Sequence, residues 1–338
     1  MNATNHLLRV LVLGACVSLA SGCGGGGGGG GDDNPPVVVN PGNPGIPTGD
    51  ATIANANALE IAGAAVIGGL FGGDPGVLGG AGLIGADSGG NAPHARVSAR
   101  VASKGLAVIA GKPFGPETSS CALTGSVTAS GNLASDETLT AGDVFNLRFN
   151  RCDDGDGQIF DGAVTMTVDT FEGDLFSGFM VLGATLAMQN LAVTEDGEVL
   201  TFNGGSSLLL DTLDYPQVTA SSSGTSMSMT GNARTMSLSN FSSTTISDES
   251  SYPPSYSIDA SGRVGLAQHG WVNYTVQQAF TGFGDADPDR GVILVTGSGG
   301  TTITATAQED GQVSLQMDYN GDGISDETRM VSWADLRG

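Results

Sequence analysis

The stretch Ala163-Val164-Thr165-Met166-Thr167-Val168 decides the fold. Large apolar side chains stand at every second position, with small or hydroxyl-bearing side chains between them. A period of two is the repeat of a β-strand, because successive side chains point to opposite faces. Ser226–Met229 and Met236–Ser239 alternate in the same way. One apolar face and one Ser/Thr face predict antiparallel sheet with one face in contact with solvent.

Further strand-like runs and turn signals extend this pattern over most of the chain. The runs are 123–128, 144–149, 271–283, 292–296, 301–307 and 313–317, and the turn pairs are Gly131-Asn132, Asp196-Gly197, Asn203-Gly204, Gly231-Asn232 and Asp310-Gly311. We predict a mainly β fold, a many-stranded antiparallel meander with a dozen or more strands. Open twisted sheets seldom exceed about ten strands. The meander is therefore expected to be curved, or closed into a barrel-like domain.

One or two short helices are expected before the sheet. Asp50 can cap a helix over Thr52–Ala62, and the glycine pairs Gly68-Gly69 and Gly72-Gly73 are expected to stop it. A second candidate follows Pro93 and places Arg96, Arg100 and Lys104 on one face. That basic face is either solvated or in contact with lipid headgroups or an acidic patch.

The N-terminus carries an export signal that ends at a cysteine. Arg9 precedes a short apolar run, Val10–Val17, which is followed by Leu19-Ala20-Ser21-Gly22-Cys23. This pattern resembles the bacterial lipoprotein signal, although Ala20 stands where leucine is commoner. The resemblance implies that the Cys23 thiol receives a diacylglycerol and that Cys23 becomes the mature N-terminus. The alternative is an ordinary cleaved signal with an incidental cysteine.

The residues after Cys23 have the composition of a tether. Glycine is unbroken from Gly24 to Gly31, and five prolines follow before Asp50. Such segments form a flexible coil and then a stiffer extended spacer. We therefore divide the chain into a signal peptide (1–22), a lipidated Gly/Pro-rich tether (23–50), a glycine-rich segment with short helices (51–115) and an antiparallel β domain (116–338).

The resemblance to lipoproteins also predicts where the protein is found. In that group an Asp after the lipidated cysteine favours retention in the inner membrane, and this chain has Gly24 there. We expect a palmitate-bearing anchor in the outer membrane, with the domain facing the periplasm or the cell surface. The membrane, reached through the lipid anchor, is thus the first predicted partner.

The charge of the chain excludes another class of partner. Only 12 Lys and Arg residues oppose 35 Asp and Glu residues, and the formal net charge is −23. This charge repels nucleic acid phosphates, so no nucleic acid partner is expected. A protein or an apolar ligand remains as the further partner.

Two cysteines remain beyond the signal and the lipidation site. Cys121 and Cys152 form an even pair, which in an oxidising compartment indicates a disulfide. A metal pair or a redox pair is the alternative. No cysteine or histidine stands at ligand or C-x-x-C spacing with either residue, which favours the disulfide.

One loop has the composition of a calcium site. Side-chain oxygens occur at positions 1, 3, 5 and 9 of an EF-hand-type pattern, and glycine occurs at position 6. The predicted ligands are Asp318, Asn320, Asp322, the Ile324 carbonyl, Asp326 and Glu327. Arg329 occupies position 12, where a bidentate carboxylate is usual, and Glu327 would substitute for it. The same residues also favour a hairpin turn, and the two interpretations are compatible.

A second resemblance covers about half of the chain. The residues that bear it are Ile53, Asn57-Ala58, Cys121, Phe149-Asn150-Arg151-Cys152 and Asp161-Gly162. They are similar to uncharacterised proteobacterial exported lipoproteins. The resemblance implies no activity.

The sequence favours a protein that is not an enzyme. No nucleophile elbow, phosphate-binding loop or dinucleotide fingerprint occurs in the required setting. We predict a non-enzymatic binding or envelope-structural domain, with Ca²⁺ as the one candidate cofactor. A carrier of a lipid or other apolar ligand is the alternative. A carboxylate-based hydrolase is the second, because acids cluster at 153–161 and 285–289.

Overall fold

The computed structural model describes residues 47–70, 115–134, 139–155, 158–174, 179–195, 198–231, 234–284 and 286–337. The signal peptide, Cys23, the glycine run and the candidate helix after Pro93 lie outside these residues. Residues Ile46–Gly338 form one compact unit.

Fourteen strands make up most of the described residues. They are β1 (Glu117–Ser120), β2 (Thr124–Asn132), β3 (Val144–Asp153), β4 (Gln158–Asp174), β5 (Phe179–Glu195), β6 (Glu198–Asp211), β7 (Gln217–Gly231), β8 (Arg234–Asp248), β9 (Ser255–Leu266), β10 (Gly270–Phe283), β11 (Arg290–Thr296), β12 (Thr302–Ala307), β13 (Gln312–Asp318) and β14 (Glu327–Ser332). Each strand pairs with its neighbours in sequence, so the order in the sheet is the order in the chain. The predicted antiparallel meander is confirmed.

The sheet is open. Within the described ranges, no ladder joins β1 to β14. Of the two predicted forms, curved or closed, the closed one is therefore wrong. Closure would require a ladder of backbone hydrogen bonds between the first and last strands, and the described residues do not form one.

One predicted turn coincides with the end of a strand and another lies inside a strand. Gly131 and Asn132 are the last two residues of β2, whereas Asn203 and Gly204 lie within β6. The register between β5 and β6 shifts at a bulge, where Asn190 has φ 48° and Gly204 has φ 116°. A bulge uses the same positive-φ residues as a turn, but the chain continues in the same direction. Asp310-Gly311 does form the turn that was predicted, between β12 and β13.

One face of the sheet forms the core. Along β3, buried side chains alternate with exposed ones, and Phe145, Leu147 and Phe149 are almost completely inaccessible. The same alternation runs through β11, β12 and β13. Because paired residues share a face, these positions join into one continuous apolar layer.

The N-terminal helix begins later than predicted. Helix α1 spans Ala58–Leu70, whereas the sequence indicated Thr52–Ala62. The Asn57 side chain accepts a hydrogen bond from the Ala54 backbone and donates to the Thr52 carbonyl, which forms a turn before the helix. Gly68 and Gly69 do not stop the helix. They lie within it, against Leu238, Tyr274 and Ile293 of the sheet.

Residues before α1 are bound to the sheet. Asp50 forms a parallel bridge with Trp271, and the Ala51 backbone donates to the Trp271 carbonyl at 2.8 Å. The Trp271 indole donates to the Pro47 carbonyl at 2.9 Å. Ile53 is fully buried. The described end of the predicted tether, residues 47–50, is therefore attached to the start of β10.

A short C-terminal helix completes the core. Helix α2 (Trp333–Arg337) follows β14, and Trp333 packs edge-on against Phe280 with ring centroids 6.1 Å apart. The Leu336 carbonyl lies against Gly63 of α1. Neither α1 nor α2 has the length and apolar composition needed to cross a bilayer.

Candidate functional site

The calcium-like residues form the hairpin loop between β13 and β14. The loop begins at Asp318, the last residue of β13, and ends at Glu327, the first residue of β14. Gly321 and Gly323 adopt φ 76° and 82°, a conformation that favours glycine. The hairpin turn predicted from the same residues is confirmed.

Asp318 organises the loop from its base. One carboxylate oxygen accepts from the Asn320 and Gly321 backbones at 3.1 and 2.7 Å, and the other accepts from Gly323 at 2.7 Å. The side chain is almost fully buried. Burial opposes its ionisation, but the N–H groups of Gly323, Gly321 and Asn320 outweigh burial and hold the pKa of Asp318 below its usual value.

Three more predicted ligands also bond within the loop. Asn320 accepts from the Asp322 backbone and Asp322 accepts from Ile324, both at 2.8 Å. One oxygen of Asp326 accepts from the Tyr319 backbone at 2.7 Å, and the other lies 3.3 Å from the Asn320 amide nitrogen. Each oxygen can accept more than one bond. These contacts orient the oxygens without using all their capacity.

Glu327 lies in a different environment. Arg329 donates to one of its oxygens at 2.7 Å, and Tyr319 and Asn55 donate to the other at 2.8 and 2.7 Å. The bonds from Arg329 and then Tyr319 lower the pKa of Glu327. Burial and then the Glu327 hydrogen bond raise the pKa of Tyr319 to about 12. The predicted substitute for the position-12 carboxylate is therefore engaged by Arg329, the residue that stands at position 12.

The loop does not gather its carboxylates in this structure. Within the described ranges, one group of three potential ligand atoms lies within 4.8 Å, and it is formed by Cys121, Cys152 and Asp154. Both sulfurs of that group are in a disulfide and cannot act as thiolate ligands. Calcium binding at 318–327 stays a prediction, and it requires Asp322 and Asp326 to approach Asp318.

The Cys121–Cys152 disulfide is confirmed. It joins residues 31 apart and links the segment between β1 and β2 to the end of β3. Asp154 accepts a hydrogen bond from the Ala122 backbone at 2.9 Å, and Asp153 accepts from Gly155. These two acids of the 153–161 cluster thus hold turns beside the disulfide.

The second acid cluster and the histidines lie away from the β13–β14 loop in sequence. In the second acid cluster, Asp289 lies 3.5 Å from the Thr281 hydroxyl, whereas Asp285 lies outside the described residues. His269 contacts Glu60 of α1 at 2.8 Å, and both side chains are partly exposed. His94 lies outside the described residues. The arrangement at His269 connects the β9–β10 turn to α1.

The sequence analysis missed a group of buried polar side chains on β8. Ser243, Thr245 and Ser247 lie on the buried face, and their hydroxyls have no hydrogen-bond partner. Ile246, between them in sequence, is 43% exposed on the other face. Asn240 has φ 47°, and the β8–β9 register shifts beside it, which reverses the faces of the following residues. Sequence alternation gives no sign of that reversal.

The comparisons with known proteins give no further guide to the site. No protein-family model matches the chain, and neither the curated proteins nor the solved structures include a significant match.

Proposed function

We propose that this protein is an outer-membrane lipoprotein whose β domain binds or organises envelope components without catalysing a reaction. The observation on which the proposal rests is Leu19–Cys23 followed at once by an unbroken run of glycine. A lipid on Cys23 and a flexible segment behind it would hold the domain at the membrane while leaving it free to turn.

The attachment of residues 47–53 supports this proposal. The Trp271 side chain binds the Pro47 carbonyl, and Asp50 contacts Arg263 of β9. Arg263 also lies over the Trp271 ring, 5.4 Å from its centroid. A pull on the tether would therefore be transmitted to β9 and β10, which are interior strands of the sheet.

Metabolic labelling tests the anchor. Cells that produce the full chain are grown with an alkyne analogue of palmitate and are then separated into membrane and soluble fractions. The wild-type protein is expected to take up the label and to fractionate with outer membranes, and Cys23→Ser is expected to lose both properties. Cys16→Ser, in the apolar part of the signal, is the matched control and keeps both. Membrane fractionation and labelling of Cys23→Ser at the wild-type level would contradict the proposal.

We also propose that the 318–327 loop binds Ca²⁺ weakly. The support is the spacing of its oxygen side chains and the two glycines that give it a tight bend. At a calcium concentration ten times the dissociation constant, binding would add about 1.4 kcal/mol to the free energy of unfolding.

Thermal unfolding measured with and without millimolar calcium tests this site. The midpoint is expected to rise with calcium and not with the same concentration of magnesium, and Asp322→Asn is expected to abolish the rise. Asp310→Asn is the control, because Asp310 bonds the Gln312 backbone in the neighbouring β12–β13 turn. An unchanged wild-type midpoint would remove the calcium proposal and leave the anchor proposal intact.

A further inference from the structure

All four exposed aromatic side chains of the described residues lie at one end of the sheet. Their exposed fractions range from 43% to 99%. They are Phe179, the first residue of β5, Tyr215 between β6 and β7, Tyr252 between β8 and β9, and Phe283, the last residue of β10. Because successive strands of the meander run in opposite directions, these four positions share one end. We name them the aromatic edge.

Contacts between neighbouring turns join the aromatic edge into one surface. The Phe179 and Tyr215 rings pack edge-on, with centroids 6.1 Å apart. The Glu249 backbone, in the turn after β8, donates to the Pro216 carbonyl in the turn after β6 at 2.9 Å. A second backbone bond of 2.8 Å runs to the Pro254 carbonyl from the residue that follows β10. A surface that is fixed before its partner arrives binds at a lower cost in conformational entropy.

The chain around the aromatic edge is acidic. Within four residues of its members the sequence has no lysine or arginine and six acids, which are Asp211, Asp214, Asp248, Glu249, Asp285 and Asp287. The next cation along the chain, Arg290, is paired with Glu309 at 2.9 Å. A partner of complementary charge is therefore basic.

Aromatic rings beside carboxylates suit the binding of a cation. The face of an aromatic ring attracts an ammonium or a guanidinium group. The protein contains one such arrangement within its own chain, because Arg263 lies 5.4 Å from the centroid of the Trp271 ring and also contacts Asp50. Ionised carboxylates, by contrast, are costly to move into hydrocarbon, so these turns are poorly suited to enter a bilayer.

The length of the aromatic edge fits an extended chain rather than a small cation. Neighbouring strands lie about 4.8 Å apart, so the steps from β5 to β10 span about 24 Å. An extended polypeptide of about eight residues has a similar length. A small cation would contact one or two of the rings, whereas an extended segment can contact all of them.

We propose that the aromatic edge binds an extended basic segment of a partner protein, whose cationic side chains lie over the rings and beside the carboxylates. The inference rests on the proposed role as a binding domain and not on the lipid anchor. Residues 47–50 attach to Trp271, at the opposite end of β10 from Phe283, so this attachment leaves the aromatic edge uncovered.

The probe is a fluorescently labelled octapeptide in which arginine and serine alternate. In an extended chain alternate residues point to the same side, so its arginines can face the rings together. The protein is the full chain with Cys23→Ser, and binding is followed by fluorescence anisotropy at low ionic strength. We expect saturable binding of one peptide. The same peptide with lysine should bind more weakly, because an ammonium group does not stack on a ring, and the peptide with glutamate should not bind.

Removal of two rings separates the aromatic edge from general attraction to an acidic protein. The double variant Tyr252→Ala, Phe283→Ala keeps the net charge, and its affinity for the arginine peptide should fall about tenfold through the loss of two cation–π contacts. Tyr252→Ala alone removes a ring that is 99% exposed, which leaves the fold intact, and should lower the affinity about threefold. The matched control is Leu123→Ala, Val199→Ala, because these exposed side chains lie at the opposite end of the sheet. Its affinity should equal that of the parent.

Two peptide results would overturn the proposal. They are the absence of saturable binding, and equal affinity of the arginine peptide for the parent and for both ring variants. Binding to phosphatidylcholine vesicles, or self-association, that depends on the rings and occurs without peptide binding would assign the surface to a membrane or to a second copy, and would also overturn it. Because every protein in the comparison carries Cys23→Ser, none of these results bears on lipidation.

Discussion

Asp318 holds the β13–β14 loop with both of its carboxylate oxygens. The bonds from Asn320, Gly321 and Gly323 satisfy backbone groups of a tight bend that β13 and β14 leave unpaired. An ionised carboxylate accepts such bonds better than a protonated one. The conformation of the loop therefore depends on the ionisation of Asp318.

The pH dependence of stability tests this role. The folded protein holds the pKa of Asp318 below its value in the unfolded chain, which is about 3.9. A lowered pKa stabilises the fold above the unfolded value, and the stabilisation is lost as the pH falls through the folded value. Asp318→Asn should lower the unfolding midpoint at pH 7, and the difference from wild type should narrow below about pH 4.

The measurement is thermal unfolding from pH 7 to pH 2.5 in the presence of a chelator, which separates the effect from metal binding. Asp326→Asn is a useful comparison, because it accepts one backbone bond rather than three. A difference between Asp318→Asn and wild type that stays constant across the pH range would contradict this account.

Some side-chain contacts are predictable from the sequence and others are not. The turn at 318–327 was predictable, because the residue types at alternate positions and the two glycines suffice for it. The hydrogen bonds of Glu327 were not predictable, since one of its donors, Asn55, lies 272 residues away in sequence. The buried hydroxyls of β8 were not predictable either, because hydroxyl residues occupy both faces of that strand and the bulge at Asn240 decides which face is buried.

Among the elements, α1 packs unusually close to its neighbours. A Cβ atom at Gly63 would lie 2.2 Å from the Leu336 carbonyl oxygen of α2, which is far inside van der Waals contact. At Gly68 the nearest atom would be the end of the Leu238 side chain at 3.0 Å. The clash at Gly63 is with backbone, which cannot move easily, whereas at Gly68 the end of the Leu238 side chain can shift.

Gly63→Ala should therefore destabilise the protein. Alanine favours a helix by up to about 1 kcal/mol over glycine, but the clash with α2 should outweigh this and reduce the free energy of unfolding by about 1–3 kcal/mol. Denaturation in urea measures the change. Gly68→Ala is the control and should be affected less. A stabilised Gly63→Ala would show that α1 and α2 do not pack as described.

The strands were the most predictable elements, because their alternation is strong. Ala163–Val168 lies in β4, and Ser226–Met229 lies in β7. Strand lengths were less predictable, since β6 continues through Asn203 and Gly204, a pair that also suits a turn. The bounds of α1 were missed because residues 47–51 bond to Trp271 of β10 and Ile53 bonds to Thr301, long-range contacts that override the local preference of this segment.

For the whole molecule, the order of the strands makes the sheet a series of neighbouring hairpins. The disulfide stabilises one end of this series, since Cys152 is buried at the end of β3 and Cys121 follows β1. β1 is a short edge strand that pairs with β2, and the disulfide adds a covalent link from the residue after β1 to β3.

Removal of both cysteines should have a large effect. Closure of a loop with a sequence separation of 31 stabilises a protein by about 3–4 kcal/mol in the chain-entropy model. The double variant Cys121→Ala, Cys152→Ala should lose about that amount in urea denaturation, and reduction of the wild type should have a similar effect. Equal stability of oxidised and reduced wild type would contradict a structural role for the bond.

The meander and the disulfide were predictable at this scale, and the open form of the sheet was left undecided between two alternatives. Local alternation carries no information on whether the first and last strands meet. The attachment of residues 47–51 to β10 was not predictable either, because glycine and proline composition predicts a spacer and does not indicate where it ends.

The mass of the mature N-terminus tests the central claim most directly. The protein is purified from membranes, digested, and its first peptide is analysed by tandem mass spectrometry. We predict a peptide that begins at Cys23, with a diacylglyceryl group on its sulfur. A mature protein that begins at another residue, or an unmodified Cys23, would contradict the account.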